Sequence, residues 1–230
     1  MIRLQDASKR YRHKGSEVVA LQPTTLEFQP GELVAVIGPS GSGKTTLLSM
    51  LGGMLAPSEG KVWLDGQSMY DATAAQRARI RQQKLGFVFQ TFNLIPYLTA
   101  LENVQVPLML NGTCNAVQQK RLMALLTRVG LEFRVHHKPS ELSIGQQQRV
   151  ALARTLANDP AVILADEPTG NLDPETREQV LQFLEELRQE GRTVVVVTHD
   201  PTAASRATRV IKLRDGVVVS DSGTRLSNVA

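Results

Sequence analysis

The sequence predicts an α/β fold built around a buried parallel sheet, and three observations carry that prediction. An unbroken apolar run, Leu33–Ile37, passes through a glycine-rich loop into a helix-forming stretch, Lys44–Leu51; short apolar runs without polar alternation mark strands covered on both faces. Similar runs at residues 162–165 and 193–198 flank a helical stretch at 174–190, giving a strand–helix–strand unit of parallel type. Hydrophobic residues make up 42% of the chain but aromatics only 4%, so the core is aliphatic, as Val- and Leu-rich buried strands require.

The other elements follow in order. Residues 18–28 hold short alternating segments that read as strands, closed by a Pro30-Gly31 turn. The first helix ends near Gly52-Gly53, and residues 61–64 followed by Asp65-Gly66 read as strand and turn. A strand-like segment at 86–89 precedes a long stretch, about 91–158, that is rich in helix formers and poor in strand signals; it predicts an inserted helical subdomain. Residues 209–213 and 217–220 form a hairpin around Asp215-Gly216, and a polar tail closes the chain. With 230 residues, no repeat and no linker, the expectation is one domain over 1–230.

Composition excludes several classes of function. One cysteine, Cys114, cannot form an internal disulfide or anchor a metal cluster. No apolar run approaches the ~18 residues of a spanning helix, and Met1 opens into polar sequence without a signal-peptide pattern; the expectation is a cytoplasmic protein. The net charge of +4 is mild. Lys9, Arg10, Arg12 and Lys14, and Arg77, Arg79, Arg81 and Lys84, read as solvated faces because acids are interspersed, so no nucleic-acid partner is expected.

Gly38-Pro39-Ser40-Gly41-Ser42-Gly43-Lys44-Thr45 has the eight-residue spacing of a phosphate-binding loop and stands between strand and helix, the context that gives the pattern meaning. Its glycines let successive amides turn inward into a nest for anionic oxygens, and the following helix aims its positive end at the same point. Lys44 supplies charge for β- and γ-phosphates, Thr45 a hydroxyl ligand for magnesium, and Thr46 lies near the α-phosphate. Residues 161–165 then run into Asp166-Glu167. Two acids at the end of a buried strand are costly unless a cation compensates them: Asp166 suits magnesium through a water, and Glu167 a general base that polarises the attacking water. A helix cap ahead of Pro168 and Thr169 is the other reading of that pair.

Leu142-Ser143-Ile144-Gly145-Gln146-Gln147-Gln148-Arg149, ahead of Asp166, resembles the signature motif of ATP-binding cassette ATPases. Gln90, the loop Gly170-Asn171-Leu172-Asp173, His199 and Tyr11 resemble further marks of the same family, in the family's order, so that the likeness covers essentially the whole chain. It implies a P-loop NTPase (RecA-like) core with an antiparallel β subdomain and an inserted helical subdomain. It implies ATP and Mg2+ as ligands, with Tyr11 stacking on adenine, Gln90 meeting magnesium and water, and His199 touching the γ-phosphate and orienting Glu167. Ser143, Gly145 and Gln146 would grip the ATP held by a second copy, in a head-to-tail homodimer. The segment 89–98, apolar and aromatic around Pro96, would receive a short helix of an integral membrane permease, placing the protein on the inner face of the membrane.

Residues 166–173 and 197–200 are similar to the lipoprotein-release, macrolide-efflux and cell-division group, which implies export or extrusion by mechanotransmission. A cell-division regulator acting through a membrane partner is the alternative. A DNA-repair ATPase of the same superfamily is the other rival, and the chain lacks the coiled-coil or zinc insertions of that class. One departure stands out: Ile144 occupies a position where the family usually has glycine. A β-branched residue does not readily take positive φ, so an extended residue or a slightly distorted loop is expected there.

Overall fold

The chain builds two sheets of different kinds, and the burial of alternate side chains explains why. The structure, a computed structural model, describes residues 1–13, 16–110, 115–170 and 172–223; Lys14, Cys114, Asn171 and nearly all of the polar tail lie outside these. The larger sheet contains β3 (Leu33–Ile37), β6 (Leu85–Val88), β7 (Val162–Asp166), β8 (Thr193–Val197), β9 (Arg209–Arg214) and β10 (Val217–Asp221) in the order β10-β9-β3-β8-β7-β6. Every neighbouring pair in it is parallel except the β9–β10 hairpin. In β8, Val194 and Val196 enter one apolar cluster while Val195 and Val197 enter the other, and Ile163 and Leu164 of β7 divide in the same way. The central strands β3, β7 and β8 are buried on both faces and carry no polar alternation, whereas β9, near the edge, alternates buried and exposed residues.

On one face lies α1 (Lys44–Leu51), which packs Leu47, Leu48, Met50 and Leu51 into a cluster shared with the smaller sheet. That sheet is antiparallel, in the order β2-β1-β4-β5, from β1 (Ile2–His13), β2 (Ser16–Phe28), β4 (Glu59–Leu64) and β5 (Gln67–Ser68). On the other face pack α3 (Ala100–Met109), α4 (Ala116–Arg128), α5 (Ile144–Thr155) and α6 (Pro174–Gln189). α6 shows how sequence dictates this: Asp173 accepts from the Thr176 amide, Pro174 opens the first turn, and Val180, Phe183, Leu184 and Leu187 form one apolar stripe. α2 (Ala74–Lys84) and the short α7 (Pro201–Arg206) complete the fold.

The basic run at 77–84 lies on α2, opened by a reciprocal Thr73–Gln76 cap. The expected strands and helices recur within a residue or two, and α5 starts at Ile144 with Ser143 as its cap, so that the signature segment itself opens a helix. No helix among the described residues is long and apolar enough to cross a membrane.

Candidate active site

The loop after β3 is braced from three sides before any ligand is considered. Gly43 has φ 99°, and a side chain there would strike the Ala20 carbonyl of β2; only glycine combines that dihedral with that approach. The Gly216 amide donates to the Ser42 carbonyl at 3.1 Å, and the Gln22 amide donates to Gly216 at 2.8 Å. The hairpin turn thus buttresses the loop through its backbone. Inside, the Lys44 ammonium donates to the carbonyls of Gly38 at 2.9 Å and Pro39 at 3.0 Å, which holds it over the loop with a third N–H still to give. The Ser42 hydroxyl is buried without a hydrogen-bond partner, and the first amides of α1 have no partner within the helix. Unmatched donors converging on a helix start make an anion site.

Thr45, in the first turn of α1, donates to Asp166 Oδ1 at 3.4 Å. Burial pushes the Asp166 carboxyl up from its ordinary 3.8, the neighbouring Glu167 charge adds to this, and Thr45 and Lys44 oppose it. A hydroxyl and a carboxylate oxygen side by side, where the carboxylate charge is disfavoured, fit a hard dication such as Mg2+. No group of three or more His, Cys, Asp or Glu that could hold a metal by itself gathers among the described residues.

Because Asp166 is easier to protonate in the folded chain than in the unfolded one, its charge destabilises the ligand-free fold. The penalty is absent below the ordinary carboxylate pKa and fully present above the raised one. Asp166→Asn is therefore expected to raise the denaturant midpoint of the ligand-free protein slightly at pH 7. The advantage over wild type should shrink as pH falls towards 4, measured by urea unfolding at both pH values.

Glu167 follows at φ 47°, a left-handed conformation uncommon outside glycine and typical of strained functional positions. Its amide donates to the Val197 carbonyl at 2.8 Å and its carbonyl accepts from the Gly170 amide at 3.0 Å. The carboxylate accepts from the Thr198 hydroxyl at 3.2 Å and the His199 amide at 3.4 Å, and pairs with His199 Nδ1 at 2.8 Å. No helix begins at Pro168; the next cap is Asp173, so the helix-cap reading of the acid pair is set aside. His199 caps nothing either, since α7 is capped by Asp200. Its side chain is 75% exposed while that of Glu167 is 16% exposed, which leaves the imidazole facing outward from a shielded acid.

Thr198, fully buried, and Asp200, which accepts from the Thr169 hydroxyl at 3.5 Å, also hold this cluster together. The sequence reading assigned them no role, because their effect is exerted through Glu167 and its loop.

Of the remaining predicted residues, Gln90 borders this cluster and the others stand apart from it. Gln90 lies against Gly170, where an added side chain would come 3.2 Å from Gln90 Nε2. Tyr11 stands opposite Val18 in the β1–β2 register, both exposed, with the Lys9 ammonium 5.5 Å from the ring centroid. This makes Val18 a second apolar surface beside the ring, two residues from the Ala20 carbonyl that abuts the loop. Ser143 and Gln146 cap each other: the Gln146 amide donates to the Ser143 hydroxyl at 3.2 Å, and the Ser143 amide donates to Gln146 Oε1 at 3.0 Å. Gly145 lies against Thr176 of α6, where an added side chain would meet its hydroxyl at 2.7 Å. None of these contacts reaches the phosphate loop. Ile144 is neither extended nor a distortion: it occupies the first turn of α5, 56% exposed, where helical φ suits a β-branched residue and no glycine is needed.

Comparison with known proteins gives the family. Residues 21–170 match the ABC transporter family model. The chain is 48% identical over 226 residues to the macrolide export ATP-binding/permease protein MacB of Syntrophobacter fumaroxidans, covering 97% of this chain and 32% of that protein. A second MacB, from Aeromonas hydrophila, is 47% identical over 225 residues, with 35% of it covered. The chain thus spans about a third of the length of these relatives. An uncharacterized ABC transporter ATP-binding protein of Thermotoga maritima is 47% identical and is covered over 92% of its length. Among solved structures, the dimeric post-hydrolysis state of the ATP-binding cassette MJ0796 bound to ADP and Pi superposes with TM-score 0.89 at 45% identity, over 96% of this chain and 97% of that one.

Proposed function

The chain belongs to the ABC transporter family as an ATP-binding cassette ATPase domain on the P-loop NTPase fold, and on that premise we propose that two copies close head to tail around two ATP molecules, hydrolyse them and drive a membrane permease in export or extrusion. The observation that carries this is the division of the site: Thr45, Asp166, Glu167 and His199 are linked within one chain, while Ser143, Gly145 and Gln146 sit at a second helix start whose contacts lead away from the loop. A half-site and a detached phosphate-gripping helix make sense when the second copy supplies what the first lacks. The name of MJ0796's dimeric ADP-and-Pi state supports both pairing and hydrolysis.

The loop amides, the α1 start and Lys44 bind the triphosphate and neutralise its charge. Ser143, although it accepts from Gln146, keeps its O–H proton to donate to the partner's nucleotide. Thr45 and Asp166, with Gln90 at the border of the cluster, would hold magnesium, which when bound would supply Lewis-acid charge neutralisation. Glu167 takes a proton from the attacking water, its carboxylate aimed by Thr198 and His199. Tyr11 stacks on adenine. The whole chain is one nucleotide-binding domain, with residues 91–158 as the helical subdomain that carries the gripping helix.

For the permease, a cleft of about 1150 Å3 lies between α2, β6 and α3. Phe87 and Phe89, stacked with centroids 5.7 Å apart, Leu110 and Arg79 line it, next to Asn93 of the loop after Gln90. An apolar cleft at the edge of the catalytic loops suits a short helix of a membrane subunit, and the relatives named ATP-binding/permease proteins support such a partner. Engaged with such a subunit, the domain would work at the inner face of the membrane.

Complementation tests the composite site. Lys44→Ala alone and Gly145→Asp alone should each lose at least ~100-fold in ATPase rate. Mixing the two gives heterodimers with one site assembled from unaltered halves, and activity should return to a substantial fraction of wild type. Mixtures as inactive as the separate variants, under conditions where wild type pairs, would overturn the head-to-tail reading.

A further inference from the structure

Helix α5 is hydrogen-bonded to both of its own chain's catalytic loops, one inside the fold and one beside the cleft. Near its start, Gln148 is fully buried, and its Nε2 donates to the Pro168 carbonyl at 2.8 Å. Pro168 directly follows the left-handed Glu167. In its last turn, Arg154 donates through Nη1 to the Asn93 carbonyl at 2.6 Å and through Nη2 to Phe92 at 2.5 Å. Phe92 and Asn93 are consecutive non-glycine residues at φ 55° and 50°, a strained pair that persists only when its surroundings over-determine it. They lie two and three residues beyond Gln90.

The cost of this arrangement is visible at Gln148. Its Oε1 is buried with no hydrogen-bond partner, and a buried carboxamide satisfied at one end is less favourable than an apolar side chain of the same shape. The Pro168 carbonyl fixes which end of the amide faces it, because only the NH2 group can donate there. Arg154 half-buries a guanidinium beside the cleft, and that partial burial holds its pKa below the usual value. Two such unfavourable side chains, spaced along one helix and each bonded to a loop beside a catalytic residue, call for a function that packing alone does not require.

We infer that Gln148 and Arg154 are positioning residues that make α5 a strut between the two ATP sites of the dimer. The inference rests on the composite-site reading. In that dimer, the start of α5 meets the partner's ATP through Ser143 and Gly145, while Gln148 and Arg154 tie the same helix to the loops of Glu167 and Gln90 at the chain's own ATP. Closure on one nucleotide then sets the base loop and the loop after Gln90 at the other. The helix has few ways to move without dragging them, because hydrogen bonds at both ends fix its displacement to theirs. Coupling of this kind needs an element whose position both sites bias, and α5 is bonded to both loops. The occupant of the cleft beside Asn93, which Arg154 also lines, would bias the same helix.

The test uses Gln148→Met, which keeps length and volume but removes the donor, and the pair Arg154→Met and Arg154→Lys. Each is measured for melting temperature, ATP binding by the single chain, ATP-driven pairing in a Glu167→Gln background, and steady-state ATPase against ATP concentration. Neither residue touches nucleotide, so binding and pairing should stay within about twofold of wild type. A loosely held base loop should lower kcat about tenfold or more, and the Hill coefficient should fall towards one. Arg154→Lys, which keeps a cationic donor, should recover part of both losses; Arg154→Met should not. Wild-type kcat and Hill coefficient in Gln148→Met would overturn the inference, as would losses that merely follow a drop in melting temperature or ATP binding. If the unaltered protein itself shows neither pairing nor turnover, it is the proposed function that fails.

Discussion

Glu167→Gln should reduce ATP turnover by about 100- to 10,000-fold, the range a positioned general base contributes, while ATP binding persists and ATP-bound dimers accumulate. The amide keeps the shape of the acid, and its oxygen can still accept from Thr198 and His199, which donate to Glu167 in the wild type at 3.2 and 2.8 Å. Only the ability to take a proton from water is lost. The dimer should appear by size-exclusion chromatography with ATP and vanish with ADP. Turnover at the wild-type rate would show that another group is the base.

The second large effect concerns stability. Arg209, whose side chain is 10% exposed, forms a two-point ion pair with Asp221, Nε to Oδ1 at 2.8 Å and Nη2 to Oδ2 at 2.6 Å. It also donates to the Glu27 carbonyl at 2.6 Å and to Glu32 at 3.3 Å. Its pKa is held above the ordinary value, first by the hydrogen bonds to Asp221. Arg209→Met removes the guanidinium that two shielded carboxylates share and should destabilise the fold by ~3–5 kcal/mol. Adding Asp221→Leu should recover much of that loss, since a buried pair replaced by apolar groups is often close to neutral. Urea unfolding of both variants measures this. A double variant as unstable as the single one would show that Glu27 and Glu32, rather than Asp221, dominate.

The parts of this molecule that could be read from the chain alone are those in which one local rule decides the outcome. Leu33–Ile37 is buried on both faces and shows it as an unbroken apolar run. The phosphate loop is a local conformation whose glycines are in the sequence, and Asp166-Glu167 stand out because acids rarely end such a strand. Helix α2 escaped because it buries no residue, so hydrophobic periodicity had nothing to report; only the Thr73–Gln76 cap marked it. The first strand was equally hard to place, since it pairs with β2 on one side and β4 on the other, and the second partnership depends on a distant segment. Thr198, Gln148 and Arg154 were invisible as functional residues for a related reason. Each is an ordinary polar residue whose meaning comes from the loop carbonyl or carboxylate it touches in space. Ile144 misled because a family habit at that position was read as a dihedral requirement, whereas a helical first turn accepts a branched side chain.

The bracing of the phosphate loop by the Gly216 turn has a consequence for how the protein is made. The loop is translated early, yet its strand lies between β8 and β9, and the Leu33 amide is held by a hydroxyl 175 residues further along, on Thr208. A ribosome must therefore release most of the chain before the cradle can close, and nucleotide retention by nascent chains of increasing length should switch on only when the last hairpin has emerged.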